Sequence, residues 1–319
     1  MSFAGQTKKE LTLVEDAPCC QQTEVRAIIA WNGVFHVAES RRVLDVETEN
    51  VATARRIYTL LKGGFDVHPE VVVRKKMRLK KNNVYAIRVP AIHAEHTLRS
   101  LGWTSIPTAG QVGSPPAQRL KSCCRRAYLR GAFLAGGSVN DPGGASYHLE
   151  ISCNAREQAD SVLSLMNQFG LHAKQIRRKN GFVVYLKEGE KIVEFLSIIG
   201  AHQALLKFED VRILKGMRNQ VNRLVNCETA NMNKTIAAAV RQLEVIQLID
   251  ERIGLSTLPA HLREAAELRM RYPEVNLQEL SLQSGNRVSK SGLNHRFRKL
   301  EEIADGLRGS DGGKLSSRA

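Results

Sequence analysis

The chain has 319 residues, 43% of them hydrophobic and 25% charged, a balance that can bury cores and excludes a wholly disordered protein; the length argues for two or three domains. Its formal net charge is +15, which favours polyanionic partners, nucleic acid or an anionic membrane surface. Apolar runs never reach the ~18 residues of a transmembrane helix, and six cysteines in so long a chain do not make a disulfide framework. The start of the chain lacks the basic-then-apolar pattern of a secretory signal, so a cytoplasmic, nucleoid-associated protein without membrane contact is expected.

The first half is written twice. Cys19-Cys20 recurs as Cys123-Cys124, Gly33 as Gly137 and Phe65 as Phe169, each 104 residues on, and Tyr85 answers to Tyr185 with a slip of four. Each copy opens with an apolar helix rich in small residues, Glu24 to Trp31 and Arg125 to Ala135. Two strands follow, Val34–Val37 with Val43–Thr48, then a weak one near Ser138 with Tyr147–Cys153. An amphipathic helix comes next, its stripe carried by Ala54, Ile57, Leu60 and Leu61 or by Val162, Leu165, Met166 and Phe169. A hairpin then turns at Lys81-Asn82-Asn83 or at Asn180-Gly181. Ile92–Leu101 and Lys191–Ile199 close the copies as short helices. This order predicts an α+β fold of mainly antiparallel strands. The small residues Ala127, Gly131, Ala132 and Ala135 predict that the leading helices pack on one another along a pseudo-twofold axis, an internal pseudo-dimer within a monomer.

In the first copy Arg74, Lys76, Arg78 and Lys80 share one strand face, with Lys75 on the other; the second hairpin offers Lys174, Arg177, Arg178 and Lys179. Four cations in a row repel one another unless an anion lies across them, and in a chain this basic we assign them to DNA phosphates, with Lys215 and Arg218 of the following basic stretch. Such contacts give affinity and orientation rather than sequence choice. The duplicated Cys-Cys pairs could hold a metal or a redox group, but adjacent side chains diverge, so reduced, buried cysteines are expected, with no cofactor and no metal.

Beyond Gly200 the repeat stops. Residues 206–233 predict a basic linker whose end, Asn226 to Lys234, is a flexible joint. From Thr235, Ile236, Val240, Leu243, Ile246, Ile249 and Ile253 trace a helical stripe that Gly254 stops. Pro259 opens the next helix, with Leu262, Ala265, Ala266 and Leu268 apolar. Asn276 with Glu279 forms a capping box for a short helix with Leu277, Leu280 and Leu282, ended by Gly285. Ser289 caps a longer one that buries Leu293, Phe297, Leu300 and Ile303. The other face of its first turns carries Lys290, Ser291, Asn294, His295 and Arg298, followed by Lys299. Two helices joined by a Gly-containing turn, the second basic and polar at its start, describe a helix-turn-helix, and Asn and Arg suit bidentate contacts with adenine and guanine edges. A solvated helical hairpin would have the same pattern.

Leu129-Arg-Gly-Ala-Phe-Leu-Ala-Gly-Gly137 resembles the LAGLIDADG motif of homing endonucleases, and Val25-Arg-Ala-Ile-Ile-Ala-Trp-Asn-Gly33 resembles a more decayed copy. The resemblance implies two packed motif helices and two sheets forming a cationic saddle over DNA. In those nucleases the last acid of each motif binds the catalytic metal; the matching positions here are Asn32 and Gly136, and the earlier acid is Ala30 and Leu134. Phosphodiester cleavage through divalent metal needs hard oxygen ligands, so we expect no catalysis. The alternative is a metal-dependent endonuclease with displaced carboxylates such as Asp141 or Glu39; a third possibility is that the duplicated domain binds protein.

The order of domains, with Cys123 to Ser138 and Val288 to Lys299 as its most specific stretches, resembles the WhiA family of sporulation and cell-division regulators. That resemblance implies a degenerate LAGLIDADG-like repeat over residues 1–108 and another over 109–205, the linker, and a helix-turn-helix domain over 234–308 similar to the promoter-reading region 4 of sigma factors; residues 309–319, rich in Gly and Ser, predict a disordered tail. The resemblance implies a non-catalytic, sequence-specific regulator of genes for septation and chromosome segregation, bound to double-stranded DNA. RNA polymerase and, in sporulating relatives, a WhiB-type iron–sulphur regulator are the partners it implies.

Overall fold

Ser2 caps α1 (Phe3–Leu11), its Oγ accepting from the Gly5 N–H at 3.2 Å, and Phe3, Thr7 and Leu11, about one turn apart, form its buried side. The sequence pattern predicts no helix here. Three spaced residues in a nine-residue, lysine-rich stretch make a weak periodic signal; tertiary contact supplies the rest, with Phe3 against Phe208 at 6.1 Å. The computed structural model describes residues 2–38, 41–75, 83–107, 109–115 and 120–312. They fall into two units, Met1–Gly216 and Met217–Ala319.

In the first unit the duplication is plain. α2 (Pro18–Asn32) leads into β1 (Gly33–Ala38), β2 (Arg41–Thr48), α3 (Val51–Phe65), β3 (Glu70–Lys75), β4 (Asn83–Val89) and α4 (Ala91–Ser100), with a two-residue strand, β5 (Gly110–Gln111), after it. The second copy runs α5 (Ser122–Gly136), β6 (Gly137–Val139), β7 (Leu149–Cys153), α6 (Arg156–Gln168), β8 (Lys174–Arg178), β9 (Gly181–Leu186) and α7 (Gly189–Ile199). Both sheets are antiparallel, ordered β3-β4-β2-β1-β5 and β8-β9-β7-β6, so the four strands of one copy match those of the other. Asn50 caps α3 by accepting from the Thr53 N–H at 3.0 Å, and Ala54, Ile57, Leu60 and Leu61 are buried as their spacing predicts. In α6, Val162 and Met166 are buried, while Leu165 and Phe169 pack at the edge of the core.

One turn differs. Arg178 pairs with Gly181, so the loop residues are Lys179 and Asn180 rather than Asn180 and Gly181. Gly181 has φ +134°, and a Cβ there would run into the Cys153 carbonyl, so the glycine serves the ladder and not the turn. Of the first hairpin's expected turn, Lys81 and Asn82 lie outside the described residues, and Asn83 begins β4.

The leading helices do pack together, and the small residues are the reason. A Cβ on Gly131 would stand 2.5 Å from the Glu24 carbonyl oxygen and 2.8 Å from the Ala27 Cβ. One hydrophobic core runs through both copies, including Ile28, Phe35 and Leu44 of one and Phe133, Leu149 and Phe195 of the other. The two repeats therefore share one core within the unit Met1–Gly216.

α8 (His202–Ile253) begins where α7 ends at the left-handed Gly200. Glu10 of α1 caps it, its carboxylate accepting from the N–H groups of Gln203 at 2.7 Å and Ala204 at 2.9 Å. The expected linker and joint, 206–233, are helical throughout. Asn226 to Lys234 is polar, yet it contains neither Gly nor Pro to break a helix begun on either side.

The second unit packs the end of α8 against α9 (Ala260–Arg271), α10 (Leu277–Gln283) and α11 (Lys290–Gly312), with a 3-10 turn at Leu255–Thr257. Its stripe on α8 is Ala239, Gln242, Val245, Ile246 and Ile249, whereas Ile236, Val240 and Ile253 are exposed. The expected stripe is thus rotated, because a helix with apolar residues on several sides offers more than one 3.6-residue reading. Gly254 ends the helix at φ +79°. α11 reaches Gly312, into the expected tail; residues 313–319 lie outside those described.

Gly131→Val should force α2 and α5 apart and cost about 1–3 kcal/mol of overpacking, whereas Gly63→Ala in α3, where a Cβ meets nothing within 4 Å, should gain up to about 1 kcal/mol. Thermal unfolding of the full chain followed by circular dichroism compares the two.

Candidate nucleic-acid interface

Asn276 builds the start of α10 as a capping box: its Oδ1 accepts from the N–H groups of Gln278 at 2.9 Å and Glu279 at 3.0 Å, and Glu279 accepts from the Asn276 N–H at 3.3 Å. Leu280 is fully buried and Leu277 partly so, but Leu282 is exposed, one position past the face that meets the core. Gly285 and Asn286 then take positive φ, 68° and 58°, and reverse the chain. Ser281 donates its hydroxyl to the Val288 carbonyl at 2.6 Å, holding the far side of the turn.

Ser289 starts α11, its Oγ accepting from the Gly292 N–H at 3.2 Å. Leu293, Phe297 and Leu300 are buried as their spacing predicts, and Ala304 continues the stripe. Lys290, Ser291, Asn294, His295 and Arg298 are all exposed on the opposite side, so one polar, cationic face is presented over the first two turns. Lys299 lies beside this face and is paired with Glu302 at 2.6 Å. A helix with a free N-terminal half and a packed back can enter a major groove.

Two further arginines tie this helix to its neighbours, and the sequence pattern does not single them out. Arg296 donates to the His261 carbonyl at 3.0 Å and to Glu264 at 3.1 Å, which ties α11 to α9. Arg269 is 1% exposed, donates to Gln242 of α8 at 3.0 Å and to the carbonyls of Tyr272 at 3.3 Å and Val275 at 2.7 Å, and lies over the Phe297 ring. Burial pulls its pKa below the ordinary arginine value. It could have been suspected: Leu262, Ala265, Ala266 and Arg269 share one helical stripe, and a charge on an apolar stripe is either paired or misplaced.

In the first unit the outer faces of both sheets carry cations, but with carboxylates among them. Asp45 is fully buried and accepts from Arg88 at 2.8 and 3.0 Å and from Arg74 at 2.9 Å, with His36 at 3.4 Å. Arg74 also donates to Glu47 at 2.8 Å. In the second sheet Glu150 pairs with Arg178 at 3.0 Å and His148 at 3.1 Å. The anions required across the expected cationic row are therefore, for Arg74, the protein's own. Strand alternation puts Arg177 on the opposite face from Arg178, while Lys174 shares the face of Arg178. Lys179 is exposed in the turn, Arg218 is exposed on α8, and Lys215 donates to the Gly144 carbonyl at 2.6 Å and lies over the Tyr147 ring. Lys76, Arg78 and Lys80 lie outside the described residues.

The ends of α2 and α5, where the nuclease motif would place its acids, are closed by hydrogen bonds between the copies. Gln158 donates to the Ala30 carbonyl at 2.7 Å, Asn154 to the Trp31 carbonyl at 3.1 Å, and the Trp31 indole to the Ser152 carbonyl at 2.8 Å. Asn32 turns its amide to the Glu47 carbonyl at 2.7 Å. A Cβ on Gly136 would run into the Ser152 carbonyl and stand 3.1 Å from the Trp31 ring, so even an alanine lacks room there. Ala30 and Leu134 are buried and apolar. This donor set does not fit Mg²⁺, which takes oxygen ligands, usually carboxylate or water. Asp141 accepts from the Gly143 N–H at 2.8 Å within its own loop, and Glu39 lies outside the described residues.

A duplicated LAGLIDADG-like α+β domain joined to a helix-turn-helix domain is the class these features define. Family models described as the WhiA N-terminal LAGLIDADG-like domain, the WhiA LAGLIDADG-like domain and the WhiA C-terminal HTH domain match residues 18–103, 125–218 and 221–304. The chain belongs to the WhiA family. Among its relatives is the "Probable cell division protein WhiA" of Brevibacillus brevis, 57% identical over 309 residues, 97% of this chain and 98% of the relative. The protein of the same name from Anoxybacillus flavithermus is 58% identical over 97% of this chain and 96% of its own length. The crystal structure of full-length DUF199/WhiA from Thermatoga maritima has a TM-score of 0.59 at 26% identity, covering 96% of this chain and 98% of that one.

Arg269→Met keeps an apolar stem and strands the Tyr272 and Val275 carbonyls, each at a cost of about 1–3 kcal/mol. We expect the helix-turn-helix unit to unfold at lower urea concentration, with hydrogen exchange showing the loss in α9 to α11.

Proposed function

We propose that this protein is a non-catalytic, sequence-specific DNA-binding transcription regulator that acts in cell division in the cytoplasm. The observation that carries the reading is the exposed face of Lys290, Ser291, Asn294, His295 and Arg298 on a helix capped by Ser289 and packed through Leu293, Phe297 and Leu300. In that reading Asn294 and Arg298 are the base-reading residues, since amide and guanidinium groups match adenine and guanine edges in the major groove. His295 and Lys290 flank them. Ser289 is already engaged as the cap and Lys299 with Glu302, so these two set the helix rather than read bases.

Phosphate contact is assigned to Lys76, Arg78, Lys80, Arg177, Lys179, Lys215 and Arg218, supported by the charge of +15. Arg74 and Arg178 belong to that set only if phosphate displaces Glu47, Asp45 or Glu150 from them. A regulatory rather than nucleolytic role is supported by the neutral, crowded ends of α2 and α5 and by the naming of the relatives as cell division proteins.

Genome-wide mapping of bound sites in cells identifies a specific duplex for the test. In gel shifts on that duplex and on random DNA, Asn294→Ala or Arg298→Ala should lose about 1–3 kcal/mol of preference for the specific site. Lys179→Ala should weaken both duplexes alike and reduce the salt slope by about one. Discrimination that survives Asn294→Ala and Arg298→Ala together would remove the recognition-helix assignment. Incubation of supercoiled plasmid with Mg²⁺ or Mn²⁺ should leave it intact; nicking that tracks with the purified chain would restore the nuclease alternative.

A further inference from the structure

The two Cys-Cys pairs, expected to be inert because neighbouring side chains diverge, meet. Cys19 and Cys20 are the second and third residues of α2, Cys123 and Cys124 the second and third of α5. Packing of these two helices brings their first turns together, and all four sulfurs lie within 4.8 Å of one another. Within the pairs the separations are 4.0 and 3.9 Å. Divergence of neighbours on one helix is overcome because each pair leans toward the other across the pseudo-twofold axis.

These distances select among the chemistries of four thiols. A disulfide needs sulfurs about 2.05 Å apart, and all six cysteines of the chain are free. An iron–sulphur cluster would have to push the four sulfurs apart to seat its inorganic core. A single tetrahedral ion at about 2.3 Å from each sulfur sets them roughly 3.8 Å apart, close to the separations within the pairs and a contraction of at most about 1 Å from the 4.8 Å that bounds the rest. Among the described residues this is the one group of three or more His, Cys, Asp or Glu side chains with metal-ligand spacing, and it is all sulfur. Thiolates select a soft ion such as zinc over Mg²⁺ or Ca²⁺.

The surroundings favour the charge that four thiolates would bring. Neither α2 nor α5 has an acidic residue in its first turn, and neither Ala17 nor Lys121 caps with a side chain. Two positive helix ends thus face the sulfurs, which stabilises thiolate. Lys121, Arg125 and Arg126 adjoin the second pair in sequence. Cys123 is exposed. Cys20, Cys124 and Ala127 are buried together with Leu120 against them, giving an apolar surround with an entry path at Cys123.

We propose that Cys19, Cys20, Cys123 and Cys124 form a mononuclear tetrathiolate zinc site that clamps the first turns of α2 and α5. Binding releases the thiol protons and joins two pieces of chain about a hundred residues apart, at the ends of the helices opposite Asn32 and Gly136. The site does not depend on the DNA-binding reading.

The full chain, purified under reducing conditions, equilibrated with excess Zn²⁺ and gel-filtered, should carry one zinc per chain by inductively coupled plasma mass spectrometry. Co²⁺ in its place should show the intense visible bands of a tetrahedral thiolate site. Cys20→Ser with Cys124→Ser should abolish both signals, and Cys227→Ser should change neither. A chelator should lower the unfolding midpoint of the wild type and leave the double variant unmoved, so a marginally folded variant cannot decide the matter alone. Wild-type chain without zinc after this treatment, only the faint bands of octahedral cobalt, or a disulfide among these four cysteines in freshly lysed cells would overturn the proposal.

Discussion

How closely α2 and α5 can approach decides most of what the first unit does. At Gly131 the helices meet at a distance that excludes a single methyl group. That contact sits beside a buried ionic cluster: Glu24 accepts from Arg56 at 2.8 and 3.1 Å and from Arg130 at 2.8 Å, and Arg130 reaches on to Asp16 and to the Ile199 carbonyl. A buried charge pair adds little net stability, but removal of one member is strongly destabilising. The cluster therefore acts mainly on register, since Glu24 of one copy can satisfy Arg130 of the other in only one alignment of the helices. The alignment then fixes both ends of the pair: four sulfurs at one, crowded carbonyls and an indole at the other.

Seen this way, the changed motif positions follow from packing as much as from lost chemistry. Trp31 fills the space next to Gly136 and bonds to Ser152, and Gln158 and Asn154 cap the last carbonyls of α2. A side chain restored at 136 would meet the Ser152 carbonyl first and the Trp31 ring just beyond it, so both would have to shift. Loss of a carboxylate at one position and gain of bulk at another are coupled through the same few ångströms.

The repeat was legible because a fixed offset of 104 carries cysteine, glycine and phenylalanine alike, and because the strands alternate strongly. The helix-turn-helix was legible because Asn276, Glu279, Gly285 and Ser289 are local signals whose chemistry does not depend on distant residues. What stayed hidden is non-local. Glu24 and Arg130 look like polar interruptions of apolar helices until each is seen to face the other. The stripe on α8 has several apolar sides, and only contact with α9 and α11 selects one. Adjacent cysteines read as divergent because the second pair that meets them is a hundred residues away in the chain.

The same non-locality changes the meaning of the net charge. Asp45, Glu47 and Glu150 pair with Arg74, Arg88 and Arg178 on the sheet faces. For Asp45 the balance is one-sided: it is fully buried, so its arginines cannot both turn to a phosphate without leaving a carboxylate uncompensated. Glu47 and Glu150 are partly exposed and can be rehydrated when their partners move. A polyanion approaching the first sheet thus meets arginines already committed at their base by Asp45, and one approaching the second meets a pair that opens more easily. The excess of positive charge is consequently not a measure of the cations free to meet a polyanion, and the two sheets of the duplicated domain differ in how firmly theirs are held.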